Sequence, residues 1–344
     1  MALTTGMNSA FLNAETDFGL DMIRQSPANV QLVVSPLSVI FALTMIQAGA
    51  KGKTKTQINQ VISKGASDNE ITNFYSTLSQ DIGKASNGVQ TRIANAFFLD
   101  MKYRIEKQYA DTITRKYGAK IDALNFAQTA QTAKTINAFI SKTTAGKIDD
   151  LVTEDMVRGA FSLVVNAIYF TAKWEYEFDK SSTSNLTFYS SSNKQRKIEF
   201  LNEFGKNRMY AEDRDMQVLS LRYKDTSYAF NVFLPKVRYG LDALRKKLTG
   251  ATIQKLLSQL RSTYMTISLP KMKIETDFKL KKALMAMGVT EMFSDNADLS
   301  GITKLLPLKV SDAVHKAIIE VRLLSHSKEY SLTLSLNTAQ RARL

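Results

Sequence analysis

The sequence predicts an α+β fold, and three observations carry that prediction. Phe161 to Trp174, FSLVVNAIYFTAKW, is an apolar run rich in β-branched and aromatic residues, the composition of a strand covered on both faces at the centre of a large sheet. Before it, helical and strand-like segments follow one another without a regular βαβ alternation. After it, short strands separated by polar turns take over. Asn166 interrupts the apolar run, and a buried amide without hydrogen-bond partners costs about 1 to 3 kcal/mol. Something polar is therefore expected against it.

Residues 11–25 place Phe11, Ala14, Phe18 and Met22 on one helical face, ended by Ser26-Pro27. VQLVV, 30–34, reads as a short strand. Ser35-Pro36 opens a helix as N-cap and first-turn proline, running to Gly49. Helices are predicted over 54–62 and 69–82, a strand over 92–100, a helix over 105–117, a strand over 121–126 and a helix over 131–142. TAGKIDDLV then links to the central strand. Beyond Trp174 the predicted strands are 187–189, 196–200, 215–223 and 228–234. Two small helices, 241–248 and 252–260, lead into YMTISLPKMKIET.

The 344 residues suffice for two average domains or one large mixed domain, and 44% hydrophobic residues supply an ample core. The absence of cysteine excludes disulfides, thiolate metal sites and cysteine nucleophiles, and two histidines, His315 and His326, are too few for a multi-histidine metal site. No cofactor is implied. Neither a signal peptide nor an apolar run of membrane-spanning length is visible, so a soluble, cytoplasmic protein is expected, with an extracellular setting left open.

QAGAKGKT, from Gln47 to Thr54, nearly spells a phosphate-binding loop, but the first glycine is missing and a helix precedes it. A helix C-terminus points carbonyls at the site and repels phosphate. A helix stop followed by a Thr54 cap is the preferred reading. A Ser-His-acid hydrolase would have to use His315, with Asp312 nearby, or His326, yet no G-x-S-x-G elbow exists. His315 reads instead as a satisfied core histidine. The net charge of +14 favours polyanions, and twelve Lys and Arg against three acidic residues fall between Lys236 and Lys282. Arg245, Lys246 and Lys247, with Lys279, Lys281 and Lys282, form the candidate patch. No reader module points to specific nucleic-acid binding.

Six segments in order resemble the serpin family: VVSPLSVIFALTMIQAGAKGKTKTQI, RIANAFFLD, INAFISKTTAGKIDDLV, LVVNAIYFTAKWEYEF, LPKMKIETDFKLKKALMAMGVTEMFSDNADLSGI and KVSDAVHKAIIEV. The resemblance implies sheets A, B and C with about nine helices, the Phe161 strand lying mid-sheet in A. It implies that Ser35, Ser38, Asn166 and His315 form a hydrogen-bonded shutter where the strands of that sheet part. Trp174 and Lys271 would lie at the breach above, where Leu323 replaces the glutamate that pairs with Lys271. The implied activity is suicide inhibition of serine, and sometimes cysteine, proteases, by insertion of a cleaved reactive loop into sheet A.

The chain departs from the family after Val321, where Arg322-Leu323-Leu324-Ser325-His326-Ser327 stands in place of a glutamate-rich hinge and a run of small residues. Bulky side chains resist slipping between packed strands. The expected organisation is a serpin body over 1–321 and a non-family, flexible tail over 322–344, without the reactive loop and the C-terminal strands. A serpin-family protein without inhibitory activity is expected, or alternatively a non-inhibitory binder of polyanions such as sulfated glycans. YSLTLSL, 330–336, alternates polar and apolar residues, so the tail is expected to hold at most one short strand and to be either disordered or loosely attached at an exposed sheet edge.

Overall fold

A computed structural model describes residues 5–84 and 87–321. Its first sheet has the order β2-β1-β3-β10-β9, from Lys120–Leu124 (β2), Val89–Asp100 (β1), Ser162–Ala172 (β3), Asp312–Val321 (β10) and Met272–Phe278 (β9). β3 runs antiparallel to β1 and parallel to β10. It is the central strand the apolar run predicts, buried along nearly its whole length.

Burial on both faces follows from the period of two along a strand. Val164 points into a core built on the helix Pro36–Gly49 (α2), whereas Leu163 and Val165 point into a separate core under the helix Thr129–Thr143 (α6). α2 is buried on almost every side, so its apolar residues carry no amphipathic period, and Pro36 starts it as predicted. Around it lie Gly52–Ser63 (α3), Asp68–Ile82 (α4), which opens on a Ser67/Glu70 capping box, and Lys107–Tyr117 (α5). Asn137 on α6 fastens the linker that leads into β3, accepting from the backbone N–H of Leu151 and Val152 and donating to the Val152 carbonyl.

The second sheet has the order β4-β5-β6-β7, from Ser184–Ser191, Lys194–Glu212, Met216–Arg222 and Ala229–Pro235, with β8, Arg261–Pro270, also paired to β5. Thr5–Arg24 (α1), Leu241–Lys247 (α8) and Gly250–Ser258 (α9) pack over it. The helix count is close to expectation: ten α-helices among the described residues, including the one-turn α7, Glu154–Val157, and α10, Leu280–Ala286.

Four local expectations are corrected. The described residues form two sheets instead of three, because β5 continues for 19 residues and joins β4 and β8 to β6 and β7. Its polar second half carries no strand period, and a register shift between Glu203 and Lys206 breaks the pattern further. Gly205 lies in that shift at φ +60°, where a Cβ would run into the Tyr264 hydroxyl. VQLVV forms no ladder; its Val33 N–H donates to Thr276 Oγ1 instead. Ser35 occupies the N-cap position of α2 but makes no side-chain cap. Thr54 caps nothing either: α3 begins at Gly52, and the buried Thr54 hydroxyl accepts from the Asp298 N–H. Gly49 is the last residue of α2, and a side chain there would strike Ile302.

Candidate functional site

At the seam between β3 and β10, buried polar side chains from distant parts of the chain converge across two parallel strands. Pairing runs from Asp312 opposite Leu163 to Ala317 opposite Ile168. Beyond that point β3 continues to Ala172 and β10 to Val321, the latter still paired to β9, and the two strands part. Among the described residues the facing upper edges have no strand between them, whereas the lower seam is closed.

Asn166 and His315 are register partners just below the parting. His315 Nδ1 lies 2.5 Å from Asn166 Oδ1, and the Ser35 N–H donates to His315 Nε2 at 2.9 Å. Those two contacts define a neutral imidazole protonated on Nδ1. Burial holds the His315 pKa down, at about 3. The Ser38 hydroxyl donates to Asn166 Oδ1 at 2.9 Å, and Asn166 Nδ2 donates to the Ser38 carbonyl at 2.9 Å and to Asn95 Oδ1 at 2.5 Å. All four hydrogen-bonding positions of the Asn166 amide are filled, which is how a buried amide avoids its desolvation penalty.

The four residues singled out in the sequence thus meet, although Ser35 joins through its backbone. Sequence reasoning missed Asn95, the register partner of Asn166 on β1. The signal was there: RIANAFFLD carries the same anomaly, one amide in an apolar strand. As a hydrolase the cluster has nothing to offer. Both imidazole nitrogens are engaged, and Asp312 lies on a strand, where its carboxylate accepts from the Ala313 N–H.

Trp174 sits past the end of β3, bridged to Tyr223 and stacked on its ring at 4.7 Å, with Phe178 and Phe230 edge-on. It closes the apolar core beneath the second sheet. Lys271, between β8 and β9, bonds Glu199 at 2.7 Å. Leu323 lies outside the described residues.

The basic stretch does not assemble into one face. Arg245, Lys246 and Lys247 end α8 over the second sheet, whereas Lys279, Lys281 and Lys282 flank or enter α10, which packs on β10 of the first. Asp242 pairs with Arg245 and Lys246, and Asp215 with Lys247. Arg245 is structural: its side chain is only 12% exposed, and it donates to the Ile23 carbonyl of α1. Lys281 is likewise engaged, with the Ser311 carbonyl at 2.6 Å. No helix among the described residues is long and apolar enough to cross a membrane.

A family model described as Serpin (serine protease inhibitor) matches residues 13–326. Iripin-8 of Ixodes ricinus is 31% identical over 315 residues, which cover 90% of this chain and 78% of that protein. Serpin B3 of Homo sapiens is 30% identical over 337 residues, covering 92% and 86%. The crystal structure of uncleaved ovalbumin superposes with a TM-score of 0.84 at 26% identity, covering 92% of this chain and 91% of that one. With its parted central sheet, its six ordered segments and these relatives, the chain belongs to the serpin family.

Proposed function

We propose that this chain is a serpin that engages proteases without trapping them. The observation that carries this reading is the stretch after β10, Arg322-Leu323-Leu324-Ser325-His326-Ser327. In the family mechanism the segment following this strand enters the gap between β3 and β10 as a new strand. A strand added there separates its neighbours by a further ~4.8 Å. The 2.5 Å contact between His315 and Asn166 could not survive that separation. The polar cluster therefore serves as a shutter, holding the seam closed until an inserting strand supplies replacement interactions. Small side chains can supply them within the close packing of the two cores, whereas Leu323, Leu324 and His326 would have to be forced past occupied volume, at about 1 to 3 kcal/mol for each overpacked site.

Incubation with trypsin-like, chymotrypsin-like and elastase-like proteases tests the reading. The expected outcome is no covalent complex on a denaturing gel. A band at the summed mass that survives denaturation would sink it.

A second reading rests on the +14 net charge, which favours a polyanionic partner such as a sulfated glycan. Lys246 and Lys247, with side chains 70% and 54% exposed, are its best contact points, and their carboxylate partners weaken it.

A further inference from the structure

A cavity of about 660 Å³ opens beside the closed lower half of the β3–β10 seam, between the linker that follows α6 and the start of α10. Strand lengths create it. β10 pairs with β3 from Asp312 onward, but its ladder to β9 begins only at His315, opposite Phe278. β9 ends at Phe278, and the chain leaves the sheet as α10 at Leu280. The edge of Asp312, Ala313 and Val314 that faces away from β3 therefore has no strand partner among the described residues, and the cavity lies against it. An added peptide strand is nevertheless a poor occupant. The Ala313 N–H is already bonded to the Asp312 carboxylate, and a self-capped edge offers little to a partner strand.

Leu151, Met156 and Val314 pack with the core under α6, whereas Phe278 and Ala313 belong to the core built on α2, so the cavity lies where the two cores meet at the margin of the sheet. Charged residues line it as well. Three of them are committed to the fold: Asp277 pairs with Lys316 at 3.4 Å, Asp312 holds the Ala313 N–H, and Lys281 donates to the Ser311 carbonyl. Lys279, Lys282 and Asp150 remain, none of them in an ion pair among the described residues, which leaves an excess of positive charge beside apolar walls. A lysine on open surface signifies nothing, because water solvates it. Two lysines on an apolar cavity match a ligand whose hydrocarbon body ends in an anion, and the volume falls within the roughly 300 to 1,000 Å³ of small-molecule sites. We propose that this cavity binds an amphipathic organic anion, with the hydrocarbon body against Leu151, Met156, Phe278 and Met285 and the anionic group held by Lys279 and Lys282.

Decanoate is a suitable probe, added below its micelle-forming concentration to the full chain carrying methyl-labelled methionine. Saturable shifts of the Met156 and Met285 methyl signals are expected in the NMR spectrum. Met265 and Met272, which line a separate apolar space beneath the second sheet, are the controls for binding elsewhere. Lys279→Gln with Lys282→Gln removes two charged contacts and should weaken decanoate binding at least about tenfold. Both side chains are exposed, so the double variant leaves the core intact. Decanol, which keeps the hydrocarbon chain and lacks the charge, should bind at least about tenfold more weakly than decanoate. The absence of a saturable shift at Met156 and Met285 overturns the proposal, and so do shifts confined to Met265 and Met272. Decanol binding as tightly as decanoate, or decanoate binding unchanged in the double lysine variant, would show an apolar pocket without an anion site and overturn it equally.

Discussion

Two polar regions of this serpin, both visible in its sequence, differ in everything that determines what a polar group is worth. At the β3–β10 seam, Asn95, Asn166, Ser38 and His315 are buried and hydrogen-bonded from four separate elements. On α8, Lys246 and Lys247 reach carboxylates across exposed surface. In a low-dielectric interior a hydrogen bond is stronger and its absence is heavily penalised, whereas water and salt screen the surface pairs to between 0 and about 1 kcal/mol. Composition drew attention to the basic stretch; burial makes the amide cluster the more consequential of the two.

The sharpest way to break the comparison is Asn166→Leu. The substitution strips partners from the Ser38 hydroxyl, the Asn95 amide and His315 Nδ1 at once. Several unsatisfied buried groups together should lower stability by about 3 to 5 kcal/mol in urea unfolding. A loss under about 1 kcal/mol would place the cluster in the same class as the surface pairs.

A second prediction uses pH. Folded His315 stays neutral down to about pH 3, whereas in the unfolded chain it takes up a proton below about pH 6.5. The unfolded state therefore binds more protons between those values, and stability falls as pH falls. The contribution is complete above pH 6.5 and declines by up to about 1.4 kcal/mol for each unit below it. Carboxylates add their own slope, so the test compares the chain with His315→Gln. The two stability profiles should converge on acidification; parallel profiles from pH 7 to pH 4 would show that the imidazole is not held neutral.

The smallest effect is expected on α8. Lys246→Glu with Lys247→Glu should change stability by no more than about 1 kcal/mol. If the polyanion reading holds, the same pair should move elution from a heparin column to distinctly lower salt, because each lost contact releases fewer counterions. Unchanged elution would make α8 an ordinary solvated helix end. Arg245 is left out of this test because its side chain joins α8 to α1.

Much of the fold was legible because one element's exposure is written in its own sequence. The run around Asn166 required a strand covered on both faces, and Ser35-Pro36 marked the start of a helix running to Gly49; both elements stand in the structure. The sequence also determined that Asn166 needed partners, since no buried amide is stable without them. It could not name them all. Asn95 lies 71 residues away and His315 lies 149, and hydropathy patterns carry no information about which strands become neighbours. The family resemblance grouped Ser35, Ser38, Asn166 and His315, but not Asn95, and it could not show that Ser35 contributes an N–H instead of a hydroxyl. Tertiary structure alone decided three further things. It carried β5 through a polar stretch with no strand period, because pairing to β8 and β6 supplies what local propensity lacks. It divided the basic residues between two sheets and brought Asp215 to Lys247. It also ended the β3–β10 ladder at Ile168 and Ala317, although both strands run on, because β10 stays with β9 as it leaves β3.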